Sequence, residues 1–93
     1  MTTKRYKDQI LSLILKICQG NGASRTKVVY ASGLNFKTIN PYLTTLGRNG
    51  LIEIVPGSRP IYRITAKGED ALFHLVALEK LIQEFSATKT NNA

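Results

Sequence analysis

The chain holds one histidine, one cysteine and six carboxylates among 93 residues, against thirteen lysines and arginines. His74 has no partner at ligand spacing, Cys18 has no second thiol, and Gly20-Asn21-Gly22 is not followed by the Gly-Lys-Ser/Thr of a phosphate loop. No nucleophile and base, metal cluster or cofactor cradle can be assembled from this set, so no enzymatic activity, cofactor or metal is expected. What remains is cationic, amide and hydroxyl chemistry. Lys37, Thr38, Asn40, Thr44 and Arg48 fall in one stretch, with Asn35 before it, Arg25 and Lys27 upstream, and Arg59 and Arg63 downstream. Lys and Arg donate to guanine O6 and N7 or to phosphate, Asn binds adenine through two hydrogen bonds, and Thr offers a hydroxyl and a methyl.

The distribution of charge agrees with that chemistry. The formal net charge is +7. Residues 1–63 carry ten lysines and arginines against Asp8 and Glu53, whereas residues 64–93 carry three lysines against four carboxylates. A basic body with a near-neutral tail attracts polyanions, nucleic acid first and an anionic membrane surface second. No apolar run approaches the length of a membrane span, the N-terminus MTTKRYKDQ lacks a signal-peptide core, and a single cysteine suits a reducing compartment. A soluble cytoplasmic protein with no membrane partner and no evident small-molecule ligand is expected.

Helical and strand periods place these residues on elements. Tyr6, Ile10, Leu13, Ile14, Ile17 and Cys18 recur at three and four, predicting an amphipathic helix over 5–19 that Gly20-Asn21-Gly22 ends. A short helix follows over 25–31, with Ser24 as N-cap, and Ser32-Gly33-Leu34 interrupts it. Asn35 caps the next helix, in which Phe36, Ile39, Leu43 and Leu46 share one face while Lys37, Asn40, Pro41, Thr44 and Arg48 face away. Pro41 allows two parses. A helix could begin there, proline being favoured at the first position, or it could begin after Asn35 and carry Pro41 inside, losing a backbone hydrogen bond and kinking. The apolar spacing favours the second. The period then changes to two: 51–55 and 61–64 predict strands around a five-residue loop, Pro56-Gly57-Ser58-Arg59-Pro60. Thr65 caps a last helix running to about Ser86, and 87–93 is expected to be a flexible polar tail. The fold class is mainly α with a small hairpin: a helix-turn-helix, a wing and a long C-terminal helix.

The run from Leu34 to Ile52 resembles the recognition-helix signature of prokaryotic winged-helix proteins: a small polar cap at Asn35, Thr38-Ile39-Asn40, Leu43 and Leu46, then Gly50-Leu51-Ile52 opening the wing. Ile64-Thr65-Ala66-Lys67-Gly68 is similar to the Thr-x-x-Gly that begins the helix after it. The size, basic body and final apolar helix further resemble the ten-kilodalton winged-helix chromatin proteins of archaea. The resemblance implies a winged helix-turn-helix DNA-binding domain over 1–65 and a dimerisation helix over 66–86 that pairs with a second copy as an antiparallel coiled coil. It also implies a nucleoid-associated, architectural or regulatory role on double-stranded DNA. The chain departs from the family habit at Pro41, Thr44 and Thr45, where charged residues are more usual.

In such a fold the second helix enters the major groove with its first residues on base edges, here Lys37, Thr38 and Asn40, with Thr44 and Arg48 further along. Arg59, held extended before Pro60, points from the wing toward a minor groove or a phosphate. Arg25, Lys27 and Arg63 are phosphate candidates, and Lys4, Arg5 and Lys7 either reach a backbone or only solubilise the N-terminus. On the last helix Leu72 and Val76 are expected against the body, and Ala71, Leu75, Leu78, Ile82 and Phe85 form a heptad seam for a homodimer. At little more than two heptads, core packing within one chain is the alternative. Tyr30, Tyr42 and Tyr62 are expected at the core edge, Cys18 as an inert small hydrophobe, and His74 at a surface or interface. The alternative to DNA is a winged helix that meets an acidic protein partner through its basic surface.

Overall fold

A computed structural model of the chain describes the backbone of residues 2–92 and the side chains of residues 7–83. The expectations placed on Lys4, Arg5, Tyr6 and Phe85 fall outside the described side chains. The order of elements is α1 (Thr2–Ile17), α2 (Arg25–Ser32), α3 (Phe36–Arg48), β1 (Ile52–Val55), β2 (Ile61–Ile64) and α4 (Ala66–Asn92). This is the mainly helical architecture with one antiparallel hairpin that the periods predict. The final helix extends beyond Ser86, where its apolar pattern stops.

The local chemistry explains the boundaries. Ser24 sits extended before α2 and its hydroxyl accepts from the Lys27 N–H at 3.2 Å. Asn35 does the same for α3, its Oδ1 accepting from the Thr38 N–H at 2.8 Å. Each satisfies a donor that the helix itself leaves free. Because Asn35 and not Asn40 is the cap, Pro41 lies inside α3. Its missing N–H leaves the Lys37 carbonyl without its helical donor. Thr65 begins α4 twice over: its hydroxyl donates to the Gly50 carbonyl at 2.6 Å and accepts from the Gly68 N–H at 3.0 Å.

One core joins all the elements. Ile10, Ile14, Leu15 and Cys18 from α1 meet Val28 from α2, Ile39, Leu43 and Leu46 from α3, Ile52, Tyr62 and Ile64 from the hairpin, and Leu72 from α4. Burial pushes the Cys18 thiol up to about 11, so it is protonated and inert at neutral pH. The hairpin pairs Ile52 with Ile64, Glu53 with Arg63, Ile54 with Tyr62 and Val55 with Ile61. On its other edge β2 is tied to the segment after α1. Ala23 and Tyr62 exchange backbone hydrogen bonds at 2.9 and 2.7 Å, and the Ile64 N–H donates to the Cys18 carbonyl at 3.0 Å. Gly22 permits that approach: its φ is +83°, and a Cβ there would stand 2.7 Å from both Ile61 Cγ2 and the Tyr62 carbonyl oxygen. Gly68 plays the same part under α4, where a Cβ would run into the Leu51 carbonyl oxygen.

Several placements differ from expectation. Phe36, expected on the buried face of α3, is 47% exposed. It occupies the first helical position and lies within about 20° of Leu43 around the axis, so its exposure comes from its place at the helix end and not from its face. Tyr30, expected at the core edge, is 82% exposed. Val28 is the residue α2 gives to the core, and a residue two positions on points about 200° away. Tyr62 is not at an edge but buried at 6% exposure. On α4, Leu72 is buried and Val76 packs beside it, as expected, and Leu75 also leans on the core. Buried Ser12 of α1 donates to Glu79 at 2.8 Å, a contact consistent with the rotation that the apolar packing gives α4. That rotation leaves Phe73, Leu78 and Leu81 exposed at 69%, 47% and 62%.

Candidate nucleic-acid interface

The inner face of α3 decides where its outer face points. With Ile39 and Leu46 fully buried and Leu43 nearly so, Lys37, Asn40, Pro41, Thr44 and Arg48 are all exposed on one side of the helix, as the spacing predicts. Thr38 is half-buried on the flank, its N–H held by Asn35. The Asn35 side chain is therefore a structural cap first, with only its amide N–H groups free for other partners. The middle of the outer face is uncharged. Lys37 and Arg48 bracket it, and Lys67 adds a third cation by donating to the Asn49 carbonyl at 2.9 Å, at the negative end of the α3 dipole.

The flanking cations are held differently from one another. Arg25 and Lys27 are exposed in the first turn of α2. Arg25 Nη2 donates to the Tyr62 hydroxyl at 2.8 Å, with the guanidinium carbon 5.9 Å from the ring centre, the outer limit for a cation–π contact. Arg59 is exposed in the 56–60 loop at the wing tip. Arg63 is not free: its Nη2 and Nε donate to Glu53 Oε2 at 3.1 and 3.3 Å. Both partners are about half exposed, so this pair is weak and opens readily for a competing anion. An open cleft lies between the start of α2 and the wing, lined by Ser24, Arg25, Thr26, Arg59, Pro60 and Tyr62.

The Glu53–Arg63 pair was within reach of the sequence. A five-residue loop over 56–60 pairs 55 with 61, 54 with 62 and hence 53 with 63. The Arg25–Tyr62 contact and the Lys67 contact carried no local signal, since their partners are 37 and 18 residues apart. His74 is exposed, 3.6 Å from Asp70 on the next turn and edge-on to Phe73. Among the described residues no group of three or more His, Cys, Asp or Glu could hold a metal ion, and no helix is long and apolar enough to cross a membrane.

With the helix-turn-helix, the hairpin after it and the basic outer faces in place, comparison with known families is decisive. The family model described as winged helix-turn-helix matches residues 4–83. The chain belongs to the winged helix-turn-helix family. Among solved structures, this winged helix is similar to that of Sso10a-2, a DNA-binding protein from Sulfolobus solfataricus. The two are 28% identical, with a TM-score of 0.83 over 90% of this chain and 88% of that one. It also resembles the PcaV transcriptional regulator from Streptomyces coelicolor, 28% identical with a TM-score of 0.66, over 86% of this chain and 60% of that one. MepR from S. aureus, at 16% identity and a TM-score of 0.71 over 95% of this chain and 70% of that one, shares the fold. An uncharacterised protein of Methanocaldococcus jannaschii is 33% identical over 84 residues, 90% of this chain. The winged helix spans only 36% of the length of that curated relative.

Proposed function

We propose that this winged helix binds double-stranded DNA as a homodimer, in an architectural or transcription-regulating role. In this reading α3 lies in the major groove, with Lys37, Thr38 and Asn40 on base edges and Thr44 and Arg48 further along. The wing lies on the adjacent backbone or minor groove through Arg59, and Arg25, Lys27 and Arg63 meet phosphates. The observation that carries the reading is the outer face of α3, where Asn40, Pro41 and Thr44 stand in solvent between the exposed cations Lys37 and Arg48, on a body of strong positive charge. The solved Sso10a-2 and PcaV, a DNA-binding protein and a transcriptional regulator by their descriptions, support the same class of partner.

The dimer is proposed through α4. Leu78 stands about half exposed beside the groove between α1 and α4, where Leu75 and Ile82 also lie, and Phe73 and Leu81 add exposed apolar surface that the heptad seam did not include. Titration of a random-sequence duplex at several salt concentrations tests the reading. If each protomer neutralises about four phosphates, log affinity falls with log salt at a slope of about −7 for the dimer. Absence of binding at low salt would overturn it and leave an acidic protein as the partner to pursue.

A further inference from the structure

The cleft between the start of α2 and the wing has the donors of an oxyanion site, and its floor is a buried tyrosine. Tyr62 is 6% exposed, yet its hydroxyl reaches the cleft, where it accepts from Arg25 Nη2 at 2.8 Å. A tyrosine hydroxyl is also a donor. The Tyr62 hydroxyl is engaged as an acceptor by Arg25, and its own O–H stays available to a ligand in the open cleft that Arg25 and Arg59 line. A hydroxyl that accepts from a guanidinium is polarised into a stronger donor. The free volume of about 400 Å³ admits a tetrahedral anion with water around it.

The cleft is also fixed in shape before anything enters it. The backbone exchange between Ala23 and Tyr62 locks the two walls together, with Ser24 and Arg25 following directly on one side and Arg59-Pro60 preceding on the other. Pro60 narrows the backbone freedom of Arg59 before it. Arg25 uses one of its five N–H groups on Tyr62 and keeps the rest for a ligand.

We propose that this cleft clamps one phosphodiester of the duplex. Arg25 and Arg59 pair with it from either side, and Tyr62 donates its hydroxyl proton to a non-bridging oxygen, so that the helix-turn-helix and the wing grip a single phosphate. The proposal rests on the duplex-DNA reading above. Tyr62 would thus be a DNA-contacting residue hidden in the core of the fold.

The test compares duplex binding by the full chain and two variants, Tyr62→Phe and Arg25→Gln/Arg59→Gln, with melting curves as controls for folding. Tyr62→Phe keeps the ring and is expected to bind about tenfold more weakly at fixed salt, because a hydrogen bond to a charged group is lost. Its slope of log affinity against log salt stays unchanged, since no charge is removed. The arginine double variant loses about 0.9 of that slope per protomer, the value for one shared phosphate. A loss of about 1.8 would mean two separate phosphates and would overturn the clamp, as would wild-type affinity in Tyr62→Phe. If Tyr62→Phe fails to fold, the arginine double variant decides alone by the same two values. Failure of the wild-type chain to bind any duplex would remove the DNA reading itself, whereas wild-type binding with an unaffected Tyr62→Phe removes the clamp alone.

Discussion

Helices α3 and α4 solve the problem of an exposed face in opposite ways. α3 turns Ile39, Leu43 and Leu46 inward and offers solvent Lys37, Asn40, Pro41, Thr44 and Arg48. α4 turns Leu72 and Val76 inward and still leaves Phe73, Leu78 and Leu81 in water, across about 140° of its circumference. The first helix is completed by its own chain, and its outer face is free to meet a hydrated, charged partner. The second is apolar on more sides than one chain can cover, the condition that marks an interface. In the proposed reading, a small basic domain thus separates the surface that meets DNA from the surface that brings two copies onto it.

The strongest way to break this contrast is at α4. Leu78→Glu together with Leu81→Glu should leave the fold intact, because both residues are exposed, and should reduce the mass seen by sedimentation to that of one chain. Duplex affinity should then fall on the order of a hundredfold or more through lost avidity. An unchanged mass would leave α4 with no partner among its own copies. The contrast within α3 comes next. Leu46→Ala, on the inner face, should cost about 2–5 kcal/mol in urea denaturation at fixed protomer concentration. Thr44→Ala, on the outer face, should stay within about 0.5 kcal/mol in the same assay. Asn35→Ala tests the cap that sets the start and rotation of α3, with an expected loss of about 1 kcal/mol. The smallest effect is expected at the wing, where Glu53→Gln frees Arg63 and should raise duplex affinity by no more than about threefold at low salt. A fall in affinity there would mean that the Glu53–Arg63 pair holds the hairpin in shape rather than occupying a cation.

Most of the fold was legible because it rests on local rules. The period of three to four in α1 and α3, the caps Ser24, Asn35 and Thr65, and the loop 56–60 each act within a few residues. Even Pro41 inside α3 followed from the spacing of Phe36, Ile39, Leu43 and Leu46, although Phe36 itself stands about half exposed. What could not be read was anything that joins distant segments. Tyr62 looks like an ordinary strand aromatic until the backbone exchange with Ala23 brings Arg25 onto its hydroxyl. Phe36 and Tyr30 satisfy a helical wheel or a composition rule, but which neighbours cover them depends on how three helices meet. The apolar seam of α4 was legible as apolar. How it divides between the body and solvent depends on distant partners: the core that receives Leu72, Leu75 and Val76, and the hydrogen bond from Ser12 to Glu79, between residues 67 apart.

The most direct test of the central claim, that the outer face of α3 meets DNA, is a duplex titration of the wild-type chain against Lys37→Gln/Arg48→Gln at about 0.1 M salt. Both side chains are exposed, so the melting temperature should not change. Affinity should fall at least tenfold, with a shallower salt dependence. Equal affinity and equal slope in the two proteins would contradict the claim.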